Sequence, residues 1–398
     1  MISVEDAERR VIAAFSPLES EIVAIGSASG RVLAEDARAR MTQPPASVSS
    51  MDGYAVRAAD AVEPPSQLRL VGSSPAGRPF EGFLSPGEAV RIFTGGVVPH
   101  GADAVVIQED ADLEGERVTL KAAARPGRHI RAAGYDFHAG DILVRAGKRL
   151  GARDVALLAA GDLPSVKVRR RPRVALAATG DELSRPGAPR QAGGIVASSG
   201  YAIAALIDRF GGETIDLGIF ADTVESVSAI ADRARDADLV VTMGGASVGD
   251  HDLILKALGP KGFELDFWKI AMRPGKPLIF GRLGGVPLLG LPGNPVSTFV
   301  CALLFLRPAI AAMLGADTNQ PLLDARLAQP LGANDARQDY LRAALLWRDG
   351  EPWVDPFTHQ DSAMQSALAA AGALILRPPH APALDAGSRV RALPLTDL

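Results

Sequence analysis

The chain has 398 residues, 47% hydrophobic and 22% charged, which is enough apolar material for a packed core and argues against disorder. Forty-two Lys and Arg against 46 Asp and Glu give a net charge of −4, the wrong sign for broad nucleic-acid binding. The single cysteine, Cys301, excludes an internal disulfide and a cysteine-cluster metal site, and a length near 400 residues suggests two to four domains at about 150 each.

No uninterrupted apolar run reaches the ~18 residues of a membrane span. The start, Met1-Ile2-Ser3-Val4-Glu5-Asp6, lacks the basic-then-apolar pattern of a secretion signal. A reducing, cytoplasmic setting without membrane or nucleic-acid partners is the expectation.

In chain order, residues 3–40 open with a helix pattern: Val11, Ile12 and Phe15 lie behind an acidic first turn, Glu5-Asp6-Ala7-Glu8, that suits the helix dipole. Residues 41–133 are punctuated by Pro and Gly and carry short β-favouring runs at 68–71, 89–93, 104–107 and 117–120, which predict a small all-β unit. Residues 134–170 combine a strand-like 140–144 with an apolar, helix-like 155–159.

From Arg171 the rhythm becomes β-α-β. Strands are predicted at 173–178, 214–219, 238–243, 278–280 and 286–291, with helices over 198–210, 225–236 and 296–314. Such alternation predicts a parallel sheet covered on both faces. After Gly315 short strands return at 343–347, 373–376 and 388–393, a second small β unit.

Ligands of doubly wound sheets bind beyond the carboxyl ends of the strands, and three unusual segments fall there. Gly244-Gly245-Ala246-Ser247-Val248-Gly249 lets backbone N–H groups cradle phosphate. Asp250 and Asp252 add carboxylates suited to Mg²⁺, though the same residues fit a tight turn with Asp252 as a helix cap. Thr179-Gly180-Asp181-Glu182 has capping-box spacing, or offers paired carboxylates for metal or hydroxyl groups. Asn294-Pro295 reads as an N-cap with Pro at the first helical position, which puts an anion-attracting helix start and Ser297 at the same mouth.

Arg273-Pro274-Gly275-Lys276-Pro277 presents two cations on a proline-stiffened loop, suited to a tetrahedral oxyanion or to an exposed turn. Asp52 before Gly53, and Asp136 after Gly134-Tyr135, read as turn chemistry. Cys301 reads as core. No histidine has metal spacing, and nucleophile-elbow, Walker and dinucleotide motifs are absent from the sequence.

The ordered set of segments resembles one family. They are Ser49-Ser50-Met51-Asp52-Gly53-Tyr54-Ala55-Val56, Arg91-Ile92-Phe93-Thr94-Gly95-Gly96, Thr179-Gly180-Asp181-Glu182-Leu183, the 244–249 loop, Pro274-Gly275-Lys276-Pro277 and Gly290-Leu291-Pro292-Gly293-Asn294-Pro295-Val296-Ser297. The family is the molybdopterin molybdenumtransferases, which insert molybdenum in molybdenum-cofactor synthesis and are related to the E domain of gephyrin.

The resemblance covers essentially the whole chain. It implies an α/β multidomain fold: a central doubly wound α/β domain of molybdopterin-binding type (171–316), two small β-rich domains (41–133 inserted, 317–398 a C-terminal barrel) and an elongated segmented domain (1–40 with 134–170). It also implies a transferase acting on adenylylated molybdopterin and molybdate with Mg²⁺, releasing AMP. Further implications are a homodimer with clefts shared between subunits and a molybdopterin adenylyltransferase as upstream partner. The alternatives are adenylylation of molybdopterin itself, or a non-catalytic gephyrin-like scaffold or cofactor-binding protein.

Carried over by position, the resemblance implies catalytic roles for Asp52, Thr94, Asp136, Glu182, Asp222 and Asp252. Substrate contacts fall on Gly244, Gly245, Ser247, Gly249, Arg273, Lys276, Pro277, Asn294, Ser297, Arg337 and Ser362, and metal contacts on Glu182, Asp250 and Asp252. Arg273 stands where the family more often has Lys. Ala46-Ser47-Val48-Ser49-Ser50 departs from the family's usual residues before Met-Asp-Gly.

Overall fold

A computed structural model of the chain describes residues 1–244 and 251–395, with the backbone but not the side chains of His251 and Asp252. Its centre is a six-stranded sheet in the spatial order Glu213–Phe220, Arg173–Thr179, Leu239–Met243, Val286–Leu291, Ile279–Leu283, Phe263–Trp268. The first four strands run parallel. The last two fold back antiparallel.

Successive residues of a strand point to opposite faces. Val174, Leu176 and Ala178 therefore join one core, with helix Ser199–Arg209 and the apolar run after Pro295, while Ala175 and Ala177 join another under Val224–Arg233 and His251–Leu258. Each fully buried aliphatic side chain stabilises by roughly 1.5–3 kcal/mol. Burial on both faces is why these strands read as continuous apolar runs. No strand was legible at 263–268, because this edge strand exposes Glu264, Leu265 and Asp266.

One expectation is corrected here. Thr179 caps no helix: it ends a strand, is 4% exposed, and its hydroxyl donates to the Met243 carbonyl at 3.4 Å. A helical run of membrane-spanning length also exists. Pro295–Met313 has 19 residues and a mean hydropathy of 1.9, but 78% of it is buried in the protein, as befits a core helix. It is α-helical over Pro295–Cys301 and Arg307–Met313 with a π segment, Ala302–Leu306, between.

The helix Val4–Ala13 packs Val4, Ala7 and Val11 into the parallel sheet's core, and its N-cap Ser3 accepts from the Asp6 N–H at 3.0 Å. Beyond it, Ser20–Ala24 pairs with Ser165–Arg169 and Ala37–Arg38 with Ile142–Val144. These ladders close over Leu33, Leu150, Leu158 and Val168 together with helix Ala152–Ala160. Val48–Ser49 pairs with Ile130–Arg131, leading out to a second six-stranded sheet.

That sheet runs Ala104–Ile107, Gly53–Val56, Glu88–Ile92, Ser66–Ser74, Arg117–Leu120, Ala111–Glu114. Gly53 is therefore not a turn residue as predicted. It lies in a central strand so close to its neighbour that an added Cβ would run into the Val106 carbonyl oxygen. Among the described residues no strand pairing joins this sheet to the parallel one.

At the C-terminal end, Leu323–Leu327, Gln338–Arg348, Glu351–Pro356, Ala373–Arg377 and Arg389–Pro394 pair in a closed ring, a five-stranded barrel. Met272–Arg273 pairs with the first residues of Gln338–Arg348, which ties the cationic proline loop to the barrel.

Candidate functional site

The parallel sheet places its first-in-sequence strand between the second and third, so the crossovers leave in opposite directions beside Thr179 and Met243. A crevice is expected at such a switch point. Gly244 turns the chain there with φ +88°, and a side chain in its place would meet the Thr179 carbonyl. A Cβ on Gly293, just before the Asn294 helix start, would lie 3.6 Å from the Gly244 Cα. The strand ends that precede the glycine-rich turn and the Asn-Pro helix start are thus in contact. Gly245, Ser247, Gly249, Asp250 and the Asp252 side chain lie outside the described residues.

On the acidic side, the Asp181 carboxylate accepts the Asp222 N–H at 3.0 Å and so joins the ends of the first two strands. Glu182 is exposed and folds against Gly180. Two cavities flank the mouth. One, of about 300 Å³, lies between Ser198, Ile203, Pro295, Phe299 and Gln365. The other, of about 220 Å³, lies between Ala178, Arg185, Tyr201, Asp216 and Met243.

The proline loop packs along the same helix. Gly275 sits on Cys301, whose thiol contacts the Gly275 carbonyl at 3.8 Å, and a Cβ on Gly275 would clash with that sulfur. Ser297 lies one turn before Cys301, on the same face. Burial pushes the Cys301 thiol pKa far up, so it acts as a packing residue rather than a nucleophile. Lys276 is exposed and has no ion-pair partner among the described residues. Ser297 is 5% exposed, and neither its hydroxyl nor its N–H has a hydrogen-bond partner among the described residues.

Arg273 pairs with Asp339 and, at 3.3 Å, with Asp335; Arg337 pairs with Asp335 at 3.1 Å. The hydrogen bond to Asp339 holds the Arg273 pKa above its ordinary value. Arg337, through its side chain and then its N–H, holds the Asp335 carboxyl below the usual carboxylate range. Sequence reasoning identified both arginines but missed both acids, which reach Arg273 from more than 60 residues away.

Asn294 occupies the N-cap with Pro295 following, but its side chain does not cap the helix. Its amide donates to the Ser362 hydroxyl at 2.9 Å, and the Ser362 carbonyl accepts the Val296 N–H at 3.1 Å. Ser362, from the barrel, therefore caps the helix in Asn294's place. Its loop is held by Arg342, which is 1% exposed and donates to the carbonyls of His359, Asp361 and Met364 and to the Gln360 side chain. Arg342 is a third residue that sequence reasoning missed; Arg337-Gln338-Asp339-Tyr340-Leu341-Arg342 contains it, but only burial distinguishes it from a surface cation.

Asp52, Thr94 and Asp136 are not brought into this mouth by hydrogen bonds among the described residues. The Asp52 carboxylate accepts from the Thr94 N–H at 2.7 Å and from the Thr94 hydroxyl at 2.8 Å. These bonds, the backbone one first, hold its pKa below the ordinary value. Asp136 is exposed, and its N–H donates to Gln43 in the segment leading to the small sheet. Among the described residues no three His, Cys, Asp or Glu side chains group as metal ligands.

Residues 2–161 match the model "MoeA N-terminal region (domain I and II)", 175–312 match "Probable molybdopterin binding domain", and 324–395 match "MoeA C-terminal region (domain IV)". The chain is 39% identical to the molybdopterin molybdenumtransferase of Nostoc sp., over 84% of this chain and 79% of that protein. It is 34% identical to molybdopterin molybdenumtransferase 2 of Mycobacterium tuberculosis, over 100% of both chains. The crystal structure of a molybdopterin biosynthesis MoeA protein from Pyrococcus horikosii superposes with a TM-score of 0.85, at 32% identity and 99% coverage of each chain. With the fold, the family regions and full-length relatives in agreement, the chain belongs to the molybdopterin molybdenumtransferase family.

Proposed function

We propose that this protein inserts molybdenum: it takes adenylylated molybdopterin and molybdate and yields molybdenum cofactor and AMP. The observation that carries this reading is the seating of the Pro-Gly-Lys-Pro loop on the helix that starts at the parallel sheet's mouth. In this reading Arg273, Lys276, Arg337 and the unpartnered donors of Ser297 serve one tetrahedral dianion; the shared Asp335 between the two arginines and the Gly275–Cys301 contact support it. Charge-assisted hydrogen bonds from these groups hold molybdate, and backbone N–H groups of the glycine-rich turn hold the pterin-side phosphate. The two dithiolene thiols then displace one molybdate oxygen, which leaves as water, and water cleaves the phosphoanhydride to release AMP. Catalysis here is chiefly positioning and charge neutralisation.

Magnesium belongs to the same proposal. Glu182, with Asp250 and Asp252 after the glycine-rich turn, are the residues that would hold it, and Mg²⁺ sites of this kind take their remaining ligands from phosphate and water. Among the described residues no three such side chains form a ready-made cage, so the ion would be held largely by the substrate's phosphates. The reading also includes a cytoplasmic homodimer supplied by a molybdopterin adenylyltransferase, with Asp52 and Thr94 closing the partner's cleft. It divides the chain into the segmented (1–40, 134–170), inserted β (41–133), central (171–316) and barrel (317–398) domains.

The test is incubation with adenylylated molybdopterin, molybdate and Mg²⁺. AMP release that requires molybdate supports the reading. AMP transfer from ATP onto molybdopterin instead assigns the preceding step, and binding without turnover assigns a scaffold.

A further inference from the structure

We propose that the two carboxylates on Arg273 have opposite effects on the oxyanion: buried Asp339 positions the guanidinium, and exposed Asp335 competes with the anion for it. This rests on the reading above, in which Arg273 and Arg337 hold molybdate.

Asp339 pairs in register with Arg273, its side chain is 4% exposed, and one carboxylate oxygen accepts from the Arg273 guanidinium. Its other oxygen is buried without a partner among the described residues. Fixed on a barrel strand and cut off from solvent, Asp339 can orient Arg273 but cannot move aside.

Asp335 is different, with a side chain 48% exposed. Oδ1 accepts the Arg337 N–H at 2.8 Å and fastens the turn. Oδ2 bridges the guanidiniums of Arg273, at 3.3 Å, and Arg337, at 3.1 Å. A carboxylate oxygen and a molybdate oxygen seek the same N–H donors, and one donor hydrogen cannot serve both well. Asp335 therefore sits where the substrate's oxygens belong and has to give up that bridge when they arrive. Lys276, which has no such partner among the described residues, remains available throughout.

The two acids can be separated because a uniform charge effect moves them together. Asp335→Asn keeps an oxygen for the Arg337 N–H but removes the anionic bridge. It binds molybdate about threefold to tenfold more tightly, ~0.6–1.4 kcal/mol at 1.4 kcal/mol per tenfold, the scale of one or two exposed ion pairs. Asp339→Asn binds about tenfold more weakly and raises KM for molybdate, with kcat at saturation within about twofold of wild type.

Calorimetric titration of the full-length protein with molybdate, on wild type, both variants and Arg273→Ala, decides the matter. Opposite shifts in the two Asp→Asn variants support the proposal. Unchanged or weaker binding by Asp335→Asn overturns it, as does tighter binding by Asp339→Asn. If Asp339→Asn does not fold, the exposed Asp335 arm still decides the competition. Wild-type binding that survives intact in Arg273→Ala overturns both this inference and the placement of molybdate, whereas binding that depends on Arg273 but ignores Asp335 overturns the inference alone.

Discussion

The small β sheet and the mouth of the parallel sheet both present polar candidates, but they leave them in different states. At the small sheet one oxygen of the Asp52 carboxylate, Oδ1, already accepts two hydrogen bonds from Thr94 across neighbouring segments of one unit. At the mouth, Lys276 and Ser297 keep donors without partners among the described residues, on segments that a large shared core brings together. Unsatisfied donors held by distant packing suit an anion site before its ligand arrives, because those donors have no partner of their own to give up on binding. A carboxylate pinned through one oxygen is instead held by local structure, with its other oxygen suited to something that approaches from outside.

The comparison can be broken most forcefully at Arg342. Arg342→Met leaves several buried carbonyls of the 359–364 loop without donors and costs about 3 kcal/mol. The loop then detaches from the helix start, and hydrogen exchange at the Val296 amide rises well above that at the small-sheet amides. Equal exchange in both proteins would show that Ser362 holds its place without Arg342.

Gly53→Ala acts on the other side of the comparison. Its new methyl meets the Val106 carbonyl, and such overpacking costs about 2 kcal/mol. The small sheet loosens, while molybdate affinity at the mouth stays within about twofold of wild type. A large loss of molybdate affinity would make the two regions one coupled unit.

The smallest effect is expected from Thr94→Val, which removes one of the two donors to Asp52. The Asp52 pKa then rises towards the ordinary carboxylate range but stays below it, since the Thr94 N–H remains. A depressed carboxyl contributes stability that is present above its unfolded-state pKa and lost as pH falls through its folded pKa. In Thr94→Val that contribution is smaller and its loss is complete at a higher pH, because the folded pKa lies closer to the unfolded one; carboxyl NMR titration of Asp52 measures the rise directly.

Much of the mouth was legible because its signals are local. Alternating apolar strands and helices marked the parallel sheet, and Asn294-Pro295 marked a helix start wherever the rest of the chain went. Local signals also misled. Asp52-Gly53 carries turn chemistry, yet the glycine serves a close strand approach that only the neighbouring strand reveals. Thr179-Gly180-Asp181-Glu182 has capping-box spacing, yet the Thr179 hydroxyl is taken up by a strand more than 60 residues on. The acids on Arg273 and the Ser362 cap depend on the barrel docking beside the central sheet, a long-range pairing with no short-range trace, and the Arg342 anchor on folding within the barrel.

The measurement that bears most directly on the central claim is a paired titration of wild type and Lys276→Ala with molybdate and with adenylylated molybdopterin. Loss of the unpartnered ammonium weakens molybdate binding by about tenfold or more and pterin binding by no more than about threefold, on the scale of one charge-assisted hydrogen bond. Equal molybdate affinity in the two proteins would contradict the assignment of the oxyanion to this mouth.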